Sequence, residues 1–143
     1  MENLCQYKTG CFGCCGFRFG AKEVIFSAVV QHNSEFEEIL DKEAFRDRAD
    51  TWDLNHGLCR NFGKLKNGTH GCLIYPKEGE ADHRRGHCDI GYECQTLKTF
   101  LSWPKDKQAK FQAFLEEKDL DLYDYSTGMF NGSLLKEFIH HIK

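Results

Sequence analysis

Four thiols crowd the first fifteen residues. Cys5, Cys11, Cys14 and Cys15 fall in the stretch Leu4-Cys5-Gln6-Tyr7-Lys8-Thr9-Gly10-Cys11-Phe12-Gly13-Cys14-Cys15-Gly16, a C-x5-C-x2-C-C run. Thiolate is the soft ligand that selects zinc, copper(I) or iron–sulfur over hard cations. Glycines at 10, 13 and 16 stand beside the thiols, and glycine reaches the left-handed conformations that a tight wrap around an ion demands. Four more cysteines follow, Cys59, Cys72, Cys88 and Cys94, with 12, 15 and 5 residues between them. Eight thiols suffice for two tetrahedral four-cysteine sites, or for one cluster plus spares. Adjacent Cys14 and Cys15 fit poorly on one tetrahedral ion, because successive side chains diverge. The pair is therefore expected to divide its thiols between neighbouring sites, and the two cysteine sets to share one centre. His83 and His87 lie beside Cys88 and have the chemistry to complete a mixed site.

The competing reading of the cysteines is a disulfide framework, or small buried apolar residues. At 143 residues the chain is long enough to bury a core without such staples. The opening Met1-Glu2-Asn3-Leu4-Cys5 reads as no secretory leader, having neither a basic nor an apolar region. The expected compartment is the cytoplasm, where thiols stay reduced and clustered cysteines more often bind metal or do redox chemistry. A formal net charge of -3 gives no general pull toward nucleic acid or anionic lipid, and no apolar run reaches membrane-spanning length. Arg84-Arg85 between His83 and His87 is a local basic patch, suited to a phosphate, an acidic partner or plain solvation. Asp119–Asp124 is acidic but lacks the glycine and closing glutamate of a calcium loop.

These thiols need elements to position them. Residues 1–20 read as an irregular loop, too glycine-rich to fold unaided. Helical signals begin at Ala21 and run through Val29. Asn33-Ser34, with Glu37 three residues after Ser34, predicts a fresh N-cap, and Phe36, Ile39 and Leu40 an amphipathic helix running to Arg48. Thr51–Gly57 reads as a turn. Leu58–Leu65 and Gly71–Tyr75 flank Lys66-Asn67-Gly68-Thr69, the strongest short signal for a hairpin, which would set Cys59 and Cys72 at its open end. Residues 77–93 read as a loop. Helices follow from Gln95, after Pro104, over Asp119–Asn131 with Gly128 and Gly132 as breaks, and from a capping Ser133. Phe100, Phe111, Phe114 and Phe138 are expected in the core.

The cysteine run, Cys59, the segment Gly71-Cys72-Leu73-Ile74-Tyr75-Pro76, and Arg84-Arg85 ahead of Cys88 and Cys94 together resemble the YkgJ-like CxxCxxCC family of zinc- or iron-chelating proteins. The resemblance spans residues 4–97, with five residues rather than two between Cys5 and Cys11. It implies metal binding by zinc or an iron–sulfur cluster.

Together these readings predict a small, mostly helical α+β single domain over residues 1–143. It has one short β-hairpin and a loop-built, cysteine-rich metal centre, with residues 98–143 as a helical tail packed on it. The expected ligands are Cys5, Cys11, Cys14, Cys15, Cys59, Cys72, Cys88 and Cys94. The expected cofactor is zinc or an iron–sulfur cluster, tying residues 1–20 to 56–95. The rival functions are an iron–sulfur or thiol-dependent redox or group-transfer enzyme, and a metal-stabilised accessory subunit docking a protein partner.

Overall fold

Helix α1 (Lys22–Ile39) buries Ile25, Ala28, Val29 and His32, the one-face spacing of an amphipathic helix. The computed structural model describes residues 4–51, 53–88, 92 and 94–142. The N-cap expected at Asn33-Ser34 is not formed, because the Asn33 side chain is engaged elsewhere. Its Nδ2 donates to the Lys64 carbonyl at 2.8 Å, and its Oδ1 accepts the Lys64 N–H at 2.7 Å. The side chain thus pairs with a strand instead of capping a helix. The helix runs on until Leu40, which takes the left-handed conformation (φ 61°) with its N–H on the Phe36 carbonyl. Helix α2 (Lys42–Asp47) restarts behind Asp41, whose carboxylate accepts the Ala44 N–H at 3.0 Å. The break brings Phe36 and Phe45 edge to face, 4.9 Å between centroids.

The predicted hairpin is present but shorter than expected. Strands β1 (Phe62–Lys64) and β2 (His70–Cys72) pair antiparallel, Phe62 with Cys72 and Lys64 with His70. Gly68 supplies the positive φ of the Asn67-Gly68 turn (91°). Helix α1 lies against β1, and His32 fastens the two. Its ring is fully buried, with Nδ1 2.8 Å from the Phe62 carbonyl and Nε2 3.1 Å from Asn55 Nδ2. A carbonyl only accepts, so Nδ1 carries the proton and Nε2 accepts from the Asn55 amide.

The second half is helical: α3 (Gln95–Leu101), α4 (Lys105–Lys118), α5 (Leu122–Asn131) and α6 (Ser133–His141). Three expected boundaries move. Asp119 ends α4 in a left-handed conformation (φ 48°) rather than starting a helix, and α5 begins behind Asp121, which accepts the Asp124 N–H at 2.8 Å. Gly128 lies inside α5 and breaks nothing. Ser133 is the first residue of α6 rather than its cap; Gly132 (φ 77°) makes the turn and Asn131 Oδ1 takes the Ser133 N–H at 2.9 Å.

Residues 4–20 are irregular, apart from a single 3-10 turn at Leu4–Gln6. Glycine-rich as they are, they supply core residues. Leu4 and Tyr7 belong to the same buried cluster as Phe100, Phe111 and Phe138, and Phe12 to that of Ile25, Leu58 and Phe62. The Tyr125 hydroxyl donates to the Leu4 carbonyl at 2.6 Å, and the Phe12 N–H to Ser126 Oγ at 2.9 Å. The N-terminal segment is thus packed between the helical tail and the α1–hairpin unit. Of the turn expected over 51–57 and the loop expected over 77–93, residues 52, 89–91 and 93 lie outside the described residues. Among the described residues, no helix is long and apolar enough to cross a membrane.

Candidate metal centre

Each cysteine is set by a different local device. Cys5 sits in the 3-10 turn. Cys59 precedes β1 in a turn closed by the Phe62 N–H on its carbonyl (3.1 Å), and Cys72 ends β2. Both are therefore at the hairpin's open end, as its register requires. Cys88 closes a turn with its N–H on the Arg84 carbonyl (3.1 Å), and Cys94 is the residue from which α3 departs.

The segment bearing Cys11, Cys14 and Cys15 is laid along the hairpin by backbone hydrogen bonds. The Cys59 N–H donates to the Cys15 carbonyl at 2.7 Å, the Phe17 N–H to Gly57 at 3.1 Å, and the His70 N–H to Thr9 at 3.0 Å. Gly10 and Gly16 permit this approach. Both have positive φ (85° and 137°), and a Cβ would collide with the His70 carbonyl at the first and the Gly57 carbonyl at the second. These glycines serve backbone-to-backbone docking, a role the sequence reading had given to wrapping an ion.

The eight cysteines are reduced thiols, Cys14 and Cys88 exposed and the other six partly buried. They fall into two sequence sets whose coupling overlaps, since Cys14 raises Cys5 and Cys11 and also Cys59 and Cys88. In the first, burial pushes Cys5 up to about 11 and Cys11 up to about 12; Cys14 and Cys94 add to the rise at Cys5, and Cys5 and Cys14 to that at Cys11. In the second, burial pushes Cys72 up to about 12, with Cys59 and Cys88 adding to it. Burial likewise raises Cys59 and Cys88. Cys14 and Cys15 join the two. The Cys15 thiol is held protonated as donor to Cys14, and feels Cys59 and Cys72; accepting that bond lowers Cys14 to about 7. Electrostatic coupling links the first cysteine set to the second, Cys5 with Cys94, Cys14 with Cys59 and Cys88, and Cys15 with Cys59 and Cys72.

Among the described residues, no three His, Cys, Asp or Glu side chains stand in an arrangement that holds a metal ion as they lie. The fit to a metal rests on the donor set. Thiols raised by burial and mutual repulsion are poor thiolates alone, and a soft cation supplies the charge that reverses both effects.

A cavity of about 770 Å³ opens beside the second set, and Cys14, Cys15, Cys59, Cys72 and Cys88 line part of it. Arg46, Asp50 and Asp53, from α2 and the turn after it, line another part, as do Arg60 and Arg84. Apart from Arg84, these charged groups carry no spacing signal and were missed in the sequence. Arg84 grips Asp82 with a two-pronged contact (2.9 and 2.8 Å) and lies 4.4 Å from the Tyr75 ring centre. That grip holds the Asp82 carboxyl down at about 2. Of the two histidines considered as ligands, His87 lines the cavity, with Nδ1 3.5 Å from Thr51 Oγ1. His83 offers its carbonyl to Arg46 at 3.2 Å.

Set against protein-family models, curated proteins and solved structures, the chain matches none, and its site is read from its own geometry.

Proposed function

We propose that the protein is a metal-binding protein with two adjoining four-thiolate centres. Cys5, Cys11, Cys14 and Cys94 form one; Cys15, Cys59, Cys72 and Cys88 form the other. Zinc or an iron–sulfur chemistry suits both sets. The observation that carries the reading is the convergence itself. Eight thiols from separate segments are coupled electrostatically across the two sequence sets, with Cys14 acting on Cys5, Cys11, Cys59 and Cys88, and Cys15 feeling Cys59 and Cys72. The resemblance of residues 4–97 to the YkgJ-like CxxCxxCC family belongs to the same proposal, as does a reducing, cytoplasmic setting. When bound, the metals tie residues 1–20 to 56–95, and each structural zinc of this kind is worth on the order of 10 kcal/mol of folding energy.

Anaerobic purification followed by elemental and acid-labile sulfide analysis tests this. Two zinc ions per chain, or iron with matching sulfide, is the expected result. Cys11→Ser and Cys59→Ser should each remove one centre and spare the other. Eight freely reactive thiols in a folded, metal-free protein as purified would refute the proposal.

A further inference from the structure

We infer that Arg48 is a positioning residue of the candidate metal centre: it clamps the turn that follows Cys59 and, through Asn61, sets Cys59 against Cys72. The inference rests on the reading of these two cysteines as metal ligands. Cys59 lies outside the hairpin's ladder. Arg60 and Asn61, in a turn, separate it from β1, and a two-stranded ribbon holds little by itself. Ligands to one ion must nevertheless be placed to within about 0.5 Å. Something besides the ladder has to fix the turn.

Arg48, the residue at which α2 ends, does this with one planar group. Its Nη2 donates to the Arg60 carbonyl, and its Nη1 to Asn61 Oδ1 at 3.4 Å. The same Nη1 donates to the Phe45 carbonyl at 2.8 Å, and Nε to Glu35 Oε2 at 3.3 Å. The guanidinium carbon lies 3.5 Å from the centre of the Phe45 ring. The side chain, 14% exposed, thus joins α1, α2 and the turn after Cys59. Asn61 passes the restraint on. It is buried, and its carbonyl accepts the Leu73 N–H at 2.7 Å, one residue past Cys72. Cys59, Arg60 and Asn61 are consecutive in the wall of the chamber beside the cysteines, and Cys72 stands in the same wall. Glu35 already meets the charge of Arg48, so what the arginine supplies to the turn is geometry. A lysine carries one point charge and no fork, and cannot reach all these acceptors together.

The test is a zinc competition titration of the full chain against a chromophoric chelator, under reducing and anaerobic conditions. The steps are assigned by which one disappears in Cys59→Ser and which in Cys11→Ser. In Arg48→Lys, which keeps the charge and loses the fork, zinc should bind about tenfold more weakly or worse at the Cys59 step, the scale for a group that orients a metal ligand. The Cys11 step should be unchanged. Asn61→Ala, which removes one acceptor and leaves Arg48 in place, should weaken the same step alone, and it decides the matter if Arg48→Lys does not fold. Wild-type affinity at the Cys59 step in folded Arg48→Lys, or an equal fall at both steps, would overturn the inference and leave the metal reading standing. Where only Asn61→Ala folds, unchanged affinity in that variant would overturn it. A wild-type chain that takes up no zinc and holds no iron as purified would strike the metal reading itself, and this inference with it.

Discussion

Phe12 lies between Cys11 and Cys14 in sequence and is fully buried. Its ring meets Phe19 at 4.8 Å, Phe62 at 5.9 Å and Tyr123 at 6.1 Å between centroids. If apolar packing anchors the cysteine segment, Phe12→Ala must destabilise the metal-free protein as a core truncation does. The expected loss is about 3–5 kcal/mol, from transfer of the ring plus the cavity left among three aromatic neighbours. For a chain of this size that is roughly 10 °C or more in melting temperature, and a large share of a total stability of about 5–15 kcal/mol. The assay is urea unfolding of the wild type, Phe12→Ala and Phe12→Leu, each stripped of metal under reducing conditions. The leucine variant, which refills most of the volume, should lose far less. If metal alone orders residues 4–16, the segment is already detached in stripped protein. Phe12→Ala would then cost under about 1 kcal/mol, the range of an exposed change, and the anchoring argument would be refuted.

Three further outcomes follow from the geometry. His32 is buried and neutral, its pKa lowered chiefly by burial; a group depressed in the fold contributes stability above its unfolded pKa of about 6.5 that is lost as pH falls through the folded value. Urea midpoints should therefore drop from pH 7.5 to 5 more steeply in wild type than in His32→Gln, and equal slopes would remove His32 from the account. Gly16→Ala should cost more than about 1 kcal/mol, since it meets both a φ of 137° and the Gly57 carbonyl; unchanged thermal unfolding would show that the close approach is not needed. In metal-free protein at pH 7, Cys14, its pKa lowered by the Cys15 thiol, ionises most readily of the three, while Cys5 near 11 and Cys11 near 12 are ionised to roughly one part in ten thousand or less. Brief alkylation mapped by mass spectrometry should mark Cys14 well ahead of these two, and uniform labelling would contradict that ordering.

The helices were legible where apolar spacing and a stop signal agreed. Ile25, Ala28 and Val29 announce α1, and Phe111 and Leu115 announce α4. They were misread where a polar side chain had two possible uses. Asn33 looks like a cap because asparagine caps helices, yet its amide pairs with Lys64, thirty-one positions away. No local pattern records that choice. Asn67-Gly68 placed the hairpin, and its register carried Cys59 and Cys72 to one end. The chamber was illegible for a related reason: Arg46, Arg60 and Arg84 come from three separate segments and become one lining only after α2 and the hairpin are placed.

The reading of residues 4–16 erred in a more instructive way. Glycines and cysteines dominate the stretch, so its order was assigned to a metal. Leu4, Tyr7 and Phe12 are spaced too irregularly to suggest a helix or strand, yet all three are core residues. The His70–Thr9 and Cys59–Cys15 backbone bonds pin the same segment from the hairpin side. This changes what a metal would contribute. An ion that must first order a free loop loses part of its binding energy to chain entropy. An ion entering a segment already held by Phe12 and by backbone bonds has only side-chain rotamers and thiol protons to displace, and more of its binding energy remains as affinity. On this argument the cysteine segment should keep native-like amide-exchange protection at the Phe12 and Cys59 N–H groups after metal is stripped, while the thiols become reactive. The two properties separate because one belongs to the packed backbone and the other to the sulfurs.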